Sequence, residues 1–211
     1  MQAVVFDLDG TLLDSREAVY VLFEQLTREF DGQAISRAEI ATAMHARTSD
    51  ITRMLVQNQD VPFDSIVKRH DELYEQLHHK RVLYADAKDT LLLLRRLGYK
   101  VGMLTARPQH RLDCLDQHDL RRHIDVIITA DDVPESKPHP AGLQLLLERL
   151  EVAPSGAAIV GDTVADILAG KNAGVAKTIG VTHGFGTLEA LRGAGADHLV
   201  SDVASVLDVL E

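Results

Sequence analysis

Cysteine is nearly absent. Cys114 is the single one in 211 residues, which excludes an intrachain disulfide and fits a reducing compartment. Long apolar runs are missing too: nothing approaches the roughly 18 residues a membrane span needs. The first strand-like run starts at Ala3 with no signal peptide ahead of it, so a soluble, cytoplasmic chain with no membrane partner is expected. Positive charge is scarce. Lys and Arg number 22 against 32 Asp and Glu, a net charge of -10 with pI near 5.4, and no basic cluster offers itself to a nucleic acid. Any anionic ligand must therefore be held by a local positive site. No Gly-x-Gly-x-x-Gly follows the first strand, which argues against a pure nucleotide-binding module, and no repeat or low-complexity linker appears. What is present is a hydrophobic fraction of 45%, enough for one substantial domain plus a smaller insertion.

Residues 16 to 84 carry apolar side chains at helical spacing and no β-rich run. Val19, Leu22, Phe23, Leu26 and Phe30 form one stripe ended by Asp31-Gly32; Ser36 with Glu39 predicts a capping box; Ser49 or Asp50 starts a third helix, and a fourth follows Val61-Pro62-Phe63-Asp64. After Tyr84, strand and helix alternate, the signature of a parallel sheet covered on both faces. Strands are predicted at 3–6, 100–104, 125–129, 157–161, 177–181 and 198–200, with helices at 87–97, 108–118, 139–150, 163–173, 187–193 and 203–210. The expected architecture is α/β: a core of residues 1–15 and 85–211 with a helical bundle, 16–84, mounted on it.

Open parallel sheets bind ligands beyond the carboxyl ends of their strands. Asp7 and Asp9 follow the first strand on one side of the backbone, with Gly10 supplying a turn; Thr105 follows the second; Lys137 precedes a helix; Gly161, Asp162, Thr163 and Asp166 follow the fourth. Like charges sharing so small a site need a cation or a proton, and an oxygen-preferring ion such as Mg²⁺ is the natural candidate.

Asp7-Leu8-Asp9-Gly10-Thr11-Leu12-Leu13-Asp14-Ser15 resembles the first motif of the haloacid dehalogenase superfamily in its phosphatase branch. Thr105 falls where the second motif has its hydroxyl, Glu135-Ser136-Lys137-Pro138 resembles the third motif, and Gly161-Asp162-Thr163-Val164-Ala165-Asp166 the fourth. The resemblance implies a Rossmann-like, doubly wound core with a mobile helical cap that closes over a small phosphorylated metabolite. Asp7 is then expected to attack phosphorus and form an aspartyl-phosphate, while Asp9 serves as acid and then base, its pKa raised by the charge on Asp7. Mg²⁺ would be held by Asp7, Asp162 and the main-chain carbonyl of Asp9. Thr105 and N–H groups near Asp9 and Gly10 would donate to phosphoryl oxygens, Lys137 would offset charge and orient Asp7, and Asp166 would orient the loop.

Two positions depart from the family pattern. Thr105-Ala106-Arg107 has Ala where many relatives have Asn, which leaves Arg107 either to take up phosphate or substrate contact or to lie at the surface, and Tyr84-Ala85-Asp86-Ala87 lacks the Pro-Gly often found at the hinge. In the cap, Met44-His45-Ala46-Arg47-Thr48-Ser49 offers Arg47 as a substrate-binding cation, and the resemblance is nearest to phosphoglycolate phosphatase-like enzymes, as monomer or homodimer. His183 lines the entrance or is structural. His110, Cys114 and His118, at i, i+4, i+8 of the expected helix, lack a clear fourth ligand for zinc. A sugar phosphomutase shares the Asp pair, and a receiver-like phosphoacceptor module shares Asp, Thr and Lys but needs no helical insertion. A dehalogenase would lack an acid at Asp9.

Overall fold

The computed structural model describes residues 1–44 and 46–210. The chain opens with β1 (Ala3–Phe6) and a short strand β2 (Leu13–Asp14). Helices α1 (Arg16–Asp31), α2 (Arg37–Ala43), α3 (Thr48–Leu55) and α4 (Phe63–Gln76) follow, and β3 (Val82–Leu83) returns antiparallel to β2. Then come α5 (Ala87–Arg96), β4 (Lys100–Leu104), α6 (Asp113–Gln117), β5 (Val126–Ile128), α7 (Ala141–Leu150), β6 (Ala157–Gly161), α8 (Val164–Ala173), β7 (Lys177–Val181), α9 (Leu188–Gly193) and β8 (His198–Val200), closed by a 3-10 turn at Ala204–Val209.

β1 is buried on both faces, Val4 and Phe6 in one hydrophobic cluster and Ala3 and Val5 in another, so it can only be a central strand with helices on either side. The 6-stranded sheet runs β5-β4-β1-β6-β7-β8, all parallel, with Phe6 level with Met103 and Val160. This is the doubly wound order; its direction reverses between β1 and β6, where such sheets bind ligands. The helical insertion has its own core of Leu22, Phe23, Leu26, Ile40, Ile51, Ile66 and Leu73.

Several local differences from the sequence reading stand out, among them the 3-10 turn at Ala204–Val209 where a helix over 203–210 is expected. The expected helix over 108–118 breaks into a 3-10 turn at Gln109–Arg111 followed by α6, because the Arg111 carbonyl accepts a hydrogen bond from Arg107 Nη1 (3.2 Å) and Leu115 N–H turns to Leu112 instead. His110, Cys114 and His118 therefore share no continuous helix. α3 starts at Thr48, one residue ahead of Ser49, with Arg47 as its N-cap. The β2–β3 ribbon, too short for any period to show, ties together the two linkers to the helical insertion, and Tyr84 N–H adds a bond to Leu12 O (3.0 Å).

Candidate active site

The last residue of β1 hands the chain to Asp7, whose N–H bonds to Val160 O (2.9 Å) on β6, so the carboxylate is fixed at the switch point by the sheet itself. Asp7 Oδ1 accepts from Lys137 Nζ (2.6 Å); the same ammonium donates to Asp166 Oδ1 (2.6 Å) and to Leu104 O (3.2 Å) at the end of β4. Asp166 is held from the other side by a capping box at the start of α8, its Oδ2 accepting from Thr163 N–H (3.0 Å) and Thr163 Oγ1 (2.6 Å). Asp162, fully buried, accepts from Thr11 Oγ1 (3.0 Å) and Phe185 N–H (2.7 Å). Carboxylate oxygens of Asp7, Asp162 and Asp166 all lie within 4.8 Å of one another. Segments far apart in sequence thus deliver three acids and one ammonium to the same rim.

This motif set is matched by the family model for haloacid dehalogenase-like hydrolases over residues 4–181. The chain belongs to that family. Among curated relatives, a phosphoglycolate phosphatase of Vibrio cholerae is 34% identical over 100% of this chain and 97% of its own, and the pyrophosphatase PpaX of Bacillus cereus is 32% identical over 100% and 96%. A Thermotoga maritima crystal structure described as a β-phosphoglucomutase superposes with TM-score 0.79 at 26% identity, over 100% of this chain and 98% of that one. The chain is accordingly a phosphatase with the haloacid dehalogenase fold, a doubly wound core carrying a helical cap.

Electrostatics divide the family's acids into two kinds. Burial, opposed by Lys137 and reinforced by Asp166, pushes the Asp7 carboxyl up to about 7, and burial with the neighbouring Asp7 and Asp166 raises Asp162 well above the usual carboxylate range. Burial alone would lower the Lys137 pKa, but Asp166 and Asp7 overcome it and keep the ammonium charged. Three carboxylates facing one ammonium hold more negative charge than the site can keep ionised unaided. The donors are all oxygens, as a hard divalent cation requires, so Asp7 and Asp162 fit such an ion with Asp166 as the third acid of the cluster. The backbone is shaped for Asp162: a Cβ on Gly10, which holds φ +84°, would lie 2.2 Å from its Oδ2, and one on Gly184 2.1 Å away.

Asp9 is the other kind. The expectation of a raised pKa is overturned: burial does push upward, but Arg107 grips both oxygens, Nε to Oδ2 and Nη2 to Oδ1 at 2.6 Å each, and holds the carboxyl below its ordinary value. Arg107 also donates to Tyr74 OH (2.9 Å) on α4, so Asp9 is linked through it to the cap. Thr105 follows β4 directly and lies beside these groups, its Oγ1 accepting from Arg107 N–H (3.2 Å). A cavity of about 60 Å³ is lined by Asp7, Asp9, Thr105, Arg107, Lys137 and Asp166 together with cap residues.

Two candidate contacts fall elsewhere. Gly10 N–H, expected to face phosphoryl oxygens, donates to Leu13 O (2.8 Å), and the residue's visible task is the close approach of Asp162. Arg47 is absent from the lining of the small cavity and reaches across the cap–core seam to Ser136 Oγ (3.1 Å) and Val133 O. His45 lies outside the described residues. His183 is structural: its ring packs on Tyr84 (3.9 Å between centroids) and its nitrogens meet Ser201 O and Thr11 O. The sequence reading missed Thr11, Phe185 N–H, Tyr74 and Arg111. Thr11 stands inside the first motif and Phe185 in the stretch Thr182-His183-Gly184-Phe185-Gly186 that shares the resemblance; Tyr74 and Arg111 act through tertiary contacts that no spacing announces.

Proposed function

We propose that this phosphatase hydrolyses a small phosphorylated metabolite, a phosphoglycolate-like monoester, through an aspartyl-phosphate on Asp7, with Mg²⁺ as cofactor. The observation that carries the reading is the Lys137 bridge: it fixes Asp7 Oδ1 and leaves Oδ2 without a protein hydrogen bond among the described residues, beside the cavity, as an in-line nucleophile needs. The ion would be held by Asp7, Asp162 and the Asp9 carbonyl, and when bound it supplies charge neutralisation at the phosphoryl oxygens. Thr105 donates a hydrogen bond from its hydroxyl to a phosphoryl oxygen, and Lys137 keeps Asp7 oriented and compensated. Asp9 performs proton transfer after Arg107 moves from it to the anionic ester, since a carboxylate gripped at both oxygens cannot carry a proton to a leaving group. The cap is the segment 16–84, hinged where the β2–β3 ribbon crosses.

The names of the Vibrio and Bacillus relatives support an ester or anhydride whose leaving group is itself acidic. The resemblance to the Thermotoga structure keeps a phosphomutase as the second reading, separated by product: free phosphate or an isomeric phosphate ester. The test is turnover of a phosphorylated-metabolite panel with Mg²⁺ or EDTA. Asp7→Asn should lose at least about a thousandfold in kcat with its fold intact, and undiminished release of phosphate by that variant removes the nucleophile.

A further inference from the structure

A second cavity, about 280 Å³, lies between the cap and the loops that follow β4 and β5. It adjoins the small cavity that holds Asp7: Thr48 and Ala106 line both. At ~30 Å³ per water its volume is that of about nine waters, more than a two-carbon acid requires. Its walls carry two cations, Arg111 from the core and Arg47 from the cap. Arg111 is 10% exposed, lies over the Tyr74 ring at 4.3 Å, and among its five N–H donors only Nη2 has a partner among the described residues, Asp71. Among the described residues the Arg47 guanidinium meets only neutral oxygens, Ser136 Oγ and Val133 O. His70 adds no charge, because burial first and Arg111 next lower its pKa to about 4. Asp131 is turned to the Gln109 N–H (2.8 Å).

We infer that this cavity is the leaving-group subsite and that it takes an organic group bearing its own oxyanion, carboxylate or phosphate, bound by Arg111 and Arg47 together. The inference rests on the phosphatase reading and adds to it the place and chemistry of selection. Ala106 lines both cavities, and a side chain no larger than a methyl at that shared position suits a chain running from the phosphoryl site to the cations. Oxyanion binding from both sides of the seam makes cap closure depend on the charge of the substrate.

The test is kcat/KM for matched esters with and without a terminal anion: ethyl phosphate against 2-phosphoglycolate, propyl phosphate against 3-phosphoglycerate, and glycerol 1-phosphate against glycerol 1,3-bisphosphate. The carboxylate and phosphate arms show which oxyanion is preferred. The wild-type ratio should favour the anionic member at least about tenfold, and Arg111→Gln should cut that ratio about tenfold through KM, as loss of a charge-assisted pair does. Ala106→Leu should cut it as well, without touching either cation. Asp71→Asn breaks the same ion pair but keeps the cation, so the ratio should hold or rise. A wild-type ratio near one, an unchanged ratio in Arg111→Gln, or an equal fall in Asp71→Asn overturns the subsite. If no phosphate ester is hydrolysed at all, the phosphatase reading fails first, a result distinct from these.

Discussion

Lys137 shows how much one side chain holds together: with a side chain only 9% exposed, it is the sole cation hydrogen-bonded to Asp7 and Asp166 among the described residues. Lys137→Met strands two buried carboxylates, a change that typically costs about 3–5 kcal/mol, and urea unfolding at pH 7 measures it. Asp7 already sits at about 7 with the ammonium beside it, and losing that cation raises it further, so the cost should shrink as pH falls below about 7 and Asp7 takes up its proton; a loss below about 1 kcal/mol at pH 7 would contradict the bridge. His70 supplies a second pH-dependent prediction, also lost as pH falls. Its folded pKa of about 4, lowered first by burial and then by Arg111, lies below the unfolded value of about 6.5. The unfolded chain therefore binds the proton first as pH falls, so the stabilisation from His70 is complete above about pH 6.5 and gone by about pH 4, roughly 3 kcal/mol at most. His70→Gln should flatten that part of the stability profile, and an equally steep decline in the variant would rule it out. At this scale the sequence showed Asp7, Thr105, Lys137 and Asp162, because each ends a strand or precedes a helix at the sheet rim. It concealed the grip of Arg107 on Asp9, since a cation three residues after a strand has no direction until the cap supplies Tyr74.

Elements tell the same story through their ends. Among the described residues two capping boxes occur, Ser36 with Glu39 on α2 and Thr163 with Asp166 on α8, and both follow from local sequence pattern. They serve different purposes. Ser36 is an exposed cap-domain residue, so Ser36→Ala should cost about 1 kcal/mol and leave kcat alone. Thr163 holds the acid that holds Lys137, so Thr163→Ala should cost as much and also lower kcat. Equal kinetic effects in the two variants would show that the α8 cap does not reach the site. The core strands were legible as elements because a parallel strand buried on both faces is a continuous apolar run, as in Ala3–Phe6 and Ala157–Gly161. The broken helix around Arg111 was not legible: its interruption comes from the Arg107 guanidinium, a tertiary partner that takes the Arg111 carbonyl.

For the whole molecule, the sheet order brings β1 and β6 side by side and so makes neighbours of acids that lie 155 residues apart at Asp7 and Asp162. A pocket of excess negative charge built this way should bind a divalent cation in the folded chain alone. Mg²⁺ at a hundred times its Kd should then raise unfolding stability by about 2.7 kcal/mol, EDTA should reverse it, and Asp162→Asn should abolish it; equal shifts in wild type and variant would place the ion elsewhere. The helical insertion clasps the rim through Tyr74 to Arg107, Asp71 to Arg111 and Arg47 to Ser136. The most direct measurement of the central claim is acid-quench mass spectrometry of the Asp9→Asn variant during turnover of a phosphate ester, followed by digestion and hydroxylamine treatment. The account predicts one phosphoryl group on the peptide containing Asp7, removed by hydroxylamine, with none in Asp7→Asn. A phosphoryl group on any other residue, or an unmodified Asp7 peptide while ester is being consumed, would contradict it.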